Sequence, residues 1–296
     1  MKLGVVFPQT EIGQDSGAVK DYVQTAESCG YDHIVAFDHV VGANPGSRPD
    51  WKGFYSNTDM FHEILVLFGY ISAITERIRL VSGILILPQR QTVLVAKQAA
   101  AIDVLSNGRL RLGIGVGWNQ VEYEALGENF NNRGKRCEEQ IKLLRSLWTE
   151  ELVTFNGTWH KITDAGLNPL PIQRPIPIWM GGSSDSVLQR IGRLADGWYL
   201  PGGTDSNTVT PMIEKVKKHA RDSGRDPREI MIECSISIAE GNPDDWRQSV
   251  LERMNLGVTH LSVNTMNGGL SSAESHIHRI EEFMEMWKSL TFRIER

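Results

Sequence analysis

Cysteine is scarce in this chain: Cys29, Cys137 and Cys234 are the only three, odd in number and far apart. Neither a disulfide framework nor a CxxC metal site can be assembled from them, so a reducing, cytoplasmic setting is expected. Long apolar runs are missing as well. The opening MKLGVVFPQ holds only about five apolar residues before Pro8, too few for a secretory h-region, and nothing approaches the roughly 20 residues of a membrane span. Charge of one sign is not in excess, since 31 Lys and Arg stand against 36 Asp and Glu for a net charge of −5, which argues against nucleic acid or a membrane surface as partner. HxH, HExxH and carboxylate clusters with metal-ligand spacing are absent, so no metal is expected. GxSxG and a convincing cysteine nucleophile are also absent.

What the 296 residues do contain is a regular alternation of short β-branched runs and amphipathic segments. Strands are predicted at Leu3 to Phe7, Asp32 to Phe37, Arg77 to Leu87, Arg109 to Val116, Ile176 to Met180, Gly197 to Leu200, 230 to 238 and 258 to 263. Helices are predicted at Ala18 to Ser28, closed by Gly30, then at 62 to 75, Thr92 to Leu105, Lys135 to Trp148, Ser186 to Ala195, 208 to 222, 244 to 255 and 274 to 289. Eight β-then-α units in a chain of this length point to a (β/α)8 TIM barrel forming one domain over residues 1–296, since a doubly wound sheet more often stops at five or six strands. Two segments break the rhythm. Residues 42 to 58, after strand two, are rich in Gly, Pro and polar residues; residues 150 to 175, after the fourth helix, hold a hairpin pattern around Asn156-Gly157 and a proline-rich return. Both are expected as insertions over the barrel mouth.

In such a barrel the chemistry lies just past the strand ends. Those positions are Pro8-Gln9, Asp38-His39, Ser82 to Pro88, Gly115 to Asn119, Met180 to Ser184 and Pro201 to Thr204. At Asp38-His39 an acid and an imidazole interrupt an apolar run where strand two should open into the pocket, and the imidazole is suited to proton transfer near neutral pH. Adjacent strand residues face opposite ways, so both reach one ligand only if the strand ends or bulges there. The alternative is that Asp38 caps a loop and His39 is a satisfied structural histidine. GIGVGWN, residues 113 to 119, removes side chains at alternate positions, either for a flat ligand or simply to relieve crowding inside the barrel. MGGSSDS, residues 180 to 186, offers backbone N–H groups and hydroxyls to a phosphate, or merely an N-cap by Ser183 or Ser184. Gly83, within VSGILILP, suggests a bulge or close ligand approach, although packing alone also explains it. Glu122 and Glu124 are expected to solvate a loop, the scattered tryptophans to pack in the core or a lid, and His276 and His278 to lie on a surface helix.

Taken together, KLGVVFPQ, AESCGYDHIVAFDHV, the block from ITERIRL to GIGVGWN, IPIWMGGSS and ADGWYL resemble the luciferase-like superfamily of flavin and deazaflavin oxidoreductases. The DH after strand two and the SGI in strand three are similar to the branch that uses coenzyme F420, with an FMN-dependent monooxygenase as the alternative on the same fold. The resemblance implies a cofactor-binding set of Asp38, His39, Ser82, Gly83, Ile84, Gly117, Met180, Gly181, Gly182 and Ser183. In it His39 is the catalytic acid–base group and Gly83-Ile84 a non-prolyl cis peptide behind the ring. It further implies hydride transfer between C5 of the deazaflavin and a small organic substrate, and a homodimer. One departure stands out: sugar-oxidising F420 enzymes carry a glutamate directly after the strand-four glycine, and here that place is Trp118.

Overall fold

The computed structural model describes residues 1–201 and 206–294. Its main sheet is built from eight parallel strands, Lys2–Val6, His33–Ala36, Arg79–Ser82, Leu110–Gly115, Ile178–Gly181, Gly197–Tyr199, Met231–Ser237 and His260–Asn264, numbered one to eight below. They lie in the order 3-2-1-8-7-6-5-4, and the pairing of Leu80 with Leu110 joins strand three to strand four and closes the barrel. Every residue of strand four is buried, as expected where helices cover the outside and side chains fill the inside. The first helix, Ser16–Cys29, starts where Asp15 accepts from the Gly17 amide and stops where Gly30 turns left-handed at φ 97°.

The barrel interior has two layers. Beneath the mouth lie Val6, Val35, Val81, Tyr199 and Met266. At the opposite end is a polar cluster, in which Glu233 hydrogen-bonds His33 at 2.7 Å and also engages Ser262 and Arg111. Arg111 stacks over Trp179 at 4.0 Å. Gly4 makes room for the His33 ring, since a Cβ there would lie 2.3 Å from Nε2. Burial alone would push the Glu233 carboxyl up, but Arg111 and His33 beside it hold it far below the ordinary carboxylate range.

Four expectations change. The long third strand is broken: it ends at Ser82, passes through a cis Gly83-Ile84 peptide and resumes as Leu85–Ile86 against Ile114 and Gly115. An additional short helix, Gln120–Ala125, follows strand four and carries Glu122 into the interior. The hairpin of Val153–Asn156 and Lys161–Ala165 does not cover the mouth. It leaves from a helix-to-strand connection at the far end of the barrel and climbs the outer wall. There Glu139 accepts the Thr158, Trp159 and His160 amides, and His160 reaches Thr92 at 2.6 Å. Finally, His276 is buried on the inward stripe of helix Ala273–Ile294 with Nδ1 2.7 Å from Thr265 Oγ1, and burial lowers its proton affinity; His278 is exposed. Of the loop expected after strand six, Gly202 to Thr204 fall outside the described residues.

Candidate functional site

Strand two ends at Ala36, and the next three residues turn outward along the mouth. The Gln9 side chain fixes this exit by bonding both the N–H and the C=O of Phe37, at 2.8 and 3.1 Å. Asp38 is buried and accepts from the Ile86 amide at 2.9 Å and from Arg90 at 2.7 Å. Arg90 donates in turn to Glu63, the N-cap of helix Ile64–Ile74, at 2.6 Å. One guanidinium thus ties the end of strand two and the start of a helix together, while Asp38 itself holds the segment after the strand-three break. Burial pushes the Asp38 carboxyl upward, with Arg90 pulling against it; burial also opposes the charge on Arg90, which the two carboxylates nevertheless hold above its ordinary value.

His39 turns the other way. Its Nδ1 lies 3.2 Å from both oxygens of Glu122, a fully buried carboxylate that also accepts the Val40 amide at 2.7 Å. A proton on Nδ1 satisfies Glu122 and leaves Nε2, which has no protein partner among the described residues, free for a ligand. Burial works to raise the Glu122 carboxyl, but His39 and the Val40 amide outweigh it and hold the group below the usual carboxylate value. An imidazole bonded on one nitrogen to a buried carboxylate and open on the other is an arrangement that can move a proton. Glu122 had a sequence signal: Asn119 followed three positions later by a glutamate is a helix-start spacing, and Asn119 does cap the helix through the Val121 amide.

Asp38, His39, Gly83, Ile84 and Gly117 border one cavity of about 210 Å³ at the strand ends, joined by Phe37, Tyr55, Ile86 and Trp118. His39 and Tyr55 also border a second cavity of about 170 Å³ under the insertion. Among the described residues, the other five expected contacts lie elsewhere. Ser82 is fully buried with its hydroxyl on the Gly113 carbonyl at 2.7 Å, and Met180 is fully buried in the core. Gly181, Gly182 and Ser183 border neither cavity. Gly182 takes φ 127°, and Ser184 stands at the N-cap position of helix Asp185–Leu194 without a side-chain capping bond, while the first turn already carries the Asp185 carboxylate.

The glycine row of strand four serves the fold. A Cβ on Gly113 would lie 1.9 Å from the Ser82 carbonyl oxygen and one on Gly115 2.0 Å from Ile84 Cδ1. These glycines let the broken third strand settle into the barrel wall, while the side-chain-free positions 83 and 117 border the cavity. The result is a largely apolar bed beside the His39 imidazole. No group of three or more His, Cys, Asp or Glu is placed to hold a metal among the described residues. No helix of the described residues is long and apolar enough to cross a membrane.

The sequence model of the luciferase-like monooxygenase family matches residues 1–291. An uncharacterised protein of Mycobacterium tuberculosis is 32% identical over 274 residues, covering 88% of this chain and 91% of that protein. An FMNH2-dependent dimethylsulfone monooxygenase of Pseudomonas putida is 32% identical over 170 residues, 56% of this chain and 46% of that protein. Among solved structures, an F420-dependent secondary alcohol dehydrogenase in complex with an F420-acetone adduct superposes with a TM-score of 0.80 at 17% identity, covering 96% and 97% of the two chains.

Proposed function

This chain belongs to the luciferase-like monooxygenase family of flavin- or F420-dependent oxidoreductases, and from that premise we propose that it is an F420-dependent enzyme moving a hydride to or from a small organic substrate. The observation that carries this reading is the His39–Glu122 pair at the edge of the apolar cavity. When bound, the deazaflavin supplies two-electron hydride chemistry at C5. Gly83, Ile84, Ile86 and Gly117 form the bed for its ring, and Phe37 and Tyr55 limit water on the apolar side. Nε2 of His39 takes a proton from the substrate when it is oxidised and returns one when it is reduced. Glu122 holds Nδ1 throughout, which fixes the tautomer and the direction of the free nitrogen.

The 170-residue likeness to an FMNH2-dependent enzyme supports an alternative, a monooxygenase that uses reduced FMN and oxygen. Parallel titration of the purified protein with F420 and with FMN, read from cofactor fluorescence, separates the two. Micromolar or tighter F420 binding with weak FMN binding is expected. The reverse preference, with oxygen consumed when reduced FMN is supplied, overturns the F420 reading.

A further inference from the structure

The insertion after strand two brings aromatic rings against the free side of the acid–base pair. Tyr55 and Phe61 pack on His39 at ring-centre distances of 4.9 and 4.8 Å, and Trp118 approaches it at 5.8 Å. Trp118 is the hub, because Trp51 and Phe54 each meet it at 5.7 Å. Gly53 permits this closure: a Cβ there would lie 2.3 Å from one indole and 2.6 Å from the other. These rings do not form a sealed core. Phe54 is 83% exposed, Trp118 37%, and Val40 and Val41 at the same rim 42% and 39%. Exposed apolar side chains gathered at a cavity mouth mark a binding surface.

Few charged groups border the two cavities: Asp38 and Asp59, beside His39. No lysine or arginine borders either cavity. Arg90, which bonds Asp38 next to His39, is also held by Glu63. Asp38 is matched by Arg90, Glu122 is bonded by His39 and the Val40 amide, and one oxygen of Asp59 accepts from the amide and hydroxyl of Ser56 at 2.7 and 3.0 Å. Among the described residues an anionic substrate finds no lysine or arginine in either cavity, and the carboxylates that border them already accept hydrogen bonds. His39 Nε2 is offered to a ligand without a protein partner among the described residues.

We propose that the substrate is an uncharged, flat, largely apolar ring compound with a single hydroxyl or carbonyl, held against Trp118 beneath Phe54 with that oxygen at His39. This deepens the functional reading above and rests on it for the role of His39. Trp118 and Phe54 act as specificity-determining residues.

The test uses three probes that share one ring system and differ in charge: 2-naphthol, 2-naphthoate and 2-naphthyltrimethylammonium. Each is titrated into the full chain, with and without F420, and followed by probe fluorescence. Naphthol should bind at least about tenfold more tightly than either charged probe, and Phe54→Ala should weaken it roughly fivefold, the scale of one aromatic pair, with cofactor affinity unchanged. Trp118→Ala should weaken it further; if that variant fails to fold, Phe54→Ala, at an exposed position, still decides. Equal binding of the three probes, tighter binding of a charged one, or naphthol binding indifferent to both variants overturns the proposal. Failure of both F420 and FMN to bind, with the preference for naphthol intact, instead sinks the functional reading and leaves the apolar slot standing.

Discussion

At the scale of single residues, the site turns on a division of labour between two neighbours. Asp38 faces inward to support the backbone after the strand-three break, and His39 faces the cavity with its other nitrogen on Glu122. Replacing His39 by Ala should therefore leave cofactor affinity within about tenfold while lowering turnover roughly 10²-fold or more, the usual scale for a lost acid–base group. Glu122→Gln should lower turnover as well and shift its pH profile, whereas a merely structural glutamate would leave that profile where it was. Its effect on stability has a definite sign. The carboxyl sits below its unfolded value of 4.5, so its contribution is fully present above that pH and is lost as pH falls through the lower folded value. Urea unfolding near neutral pH should show Glu122→Gln less stable by about 2 kcal/mol, with the difference shrinking as the medium is acidified below about 4.5. A constant difference across that window contradicts the assignment.

At the scale of elements, most of the architecture was legible because strands buried on both faces and helices buried on one leave different periods in the chain. The breaks in that rhythm were harder to place. Gly83 marked the interruption of strand three. That the glycines of strand four exist to receive it became evident only when Ser82 and Ile84 were seen pressed against Gly113 and Gly115. Glu122 looked like a loop acid because its partner lies 83 positions away, and no local pattern reports such a contact. His276 misled in the same way, its partner Thr265 belonging to the loop after the last strand. The hairpin was correctly expected as an insertion but assigned to the wrong end, although a helix-to-strand connection must begin away from the mouth. The packing account predicts that Gly115→Ala destabilises by about 1–3 kcal/mol through overpacking. Combining it with Ile84→Val, which removes the atom 2.0 Å from the new methyl, should cost less than the sum of the two single changes, a coupling that a double-mutant cycle in urea can read.

At the scale of the whole molecule, the barrel separates stability from chemistry along its axis. The far end is plugged by Glu233 with His33, Ser262 and Arg111, all buried. Removing the acid by Glu233→Ala strands a buried guanidinium and should cost about 3–5 kcal/mol in urea unfolding. The folded fraction should nevertheless bind cofactor as before; lost cofactor affinity in protein that remains folded would contradict the separation.

The grip of Glu122 on the Val40 amide has a consequence for how such a protein changes over time. The chain enters the aromatic insertion from a fixed point and returns at Phe61, while the acid that holds the His39 imidazole comes from the short helix Gln120–Ala125, two strands away. The segment from Val41 to Met60 is thus an exchangeable cassette. A lineage, or an engineer, can rewrite its rings to admit a different molecule without rebuilding the His39–Glu122 pair beneath.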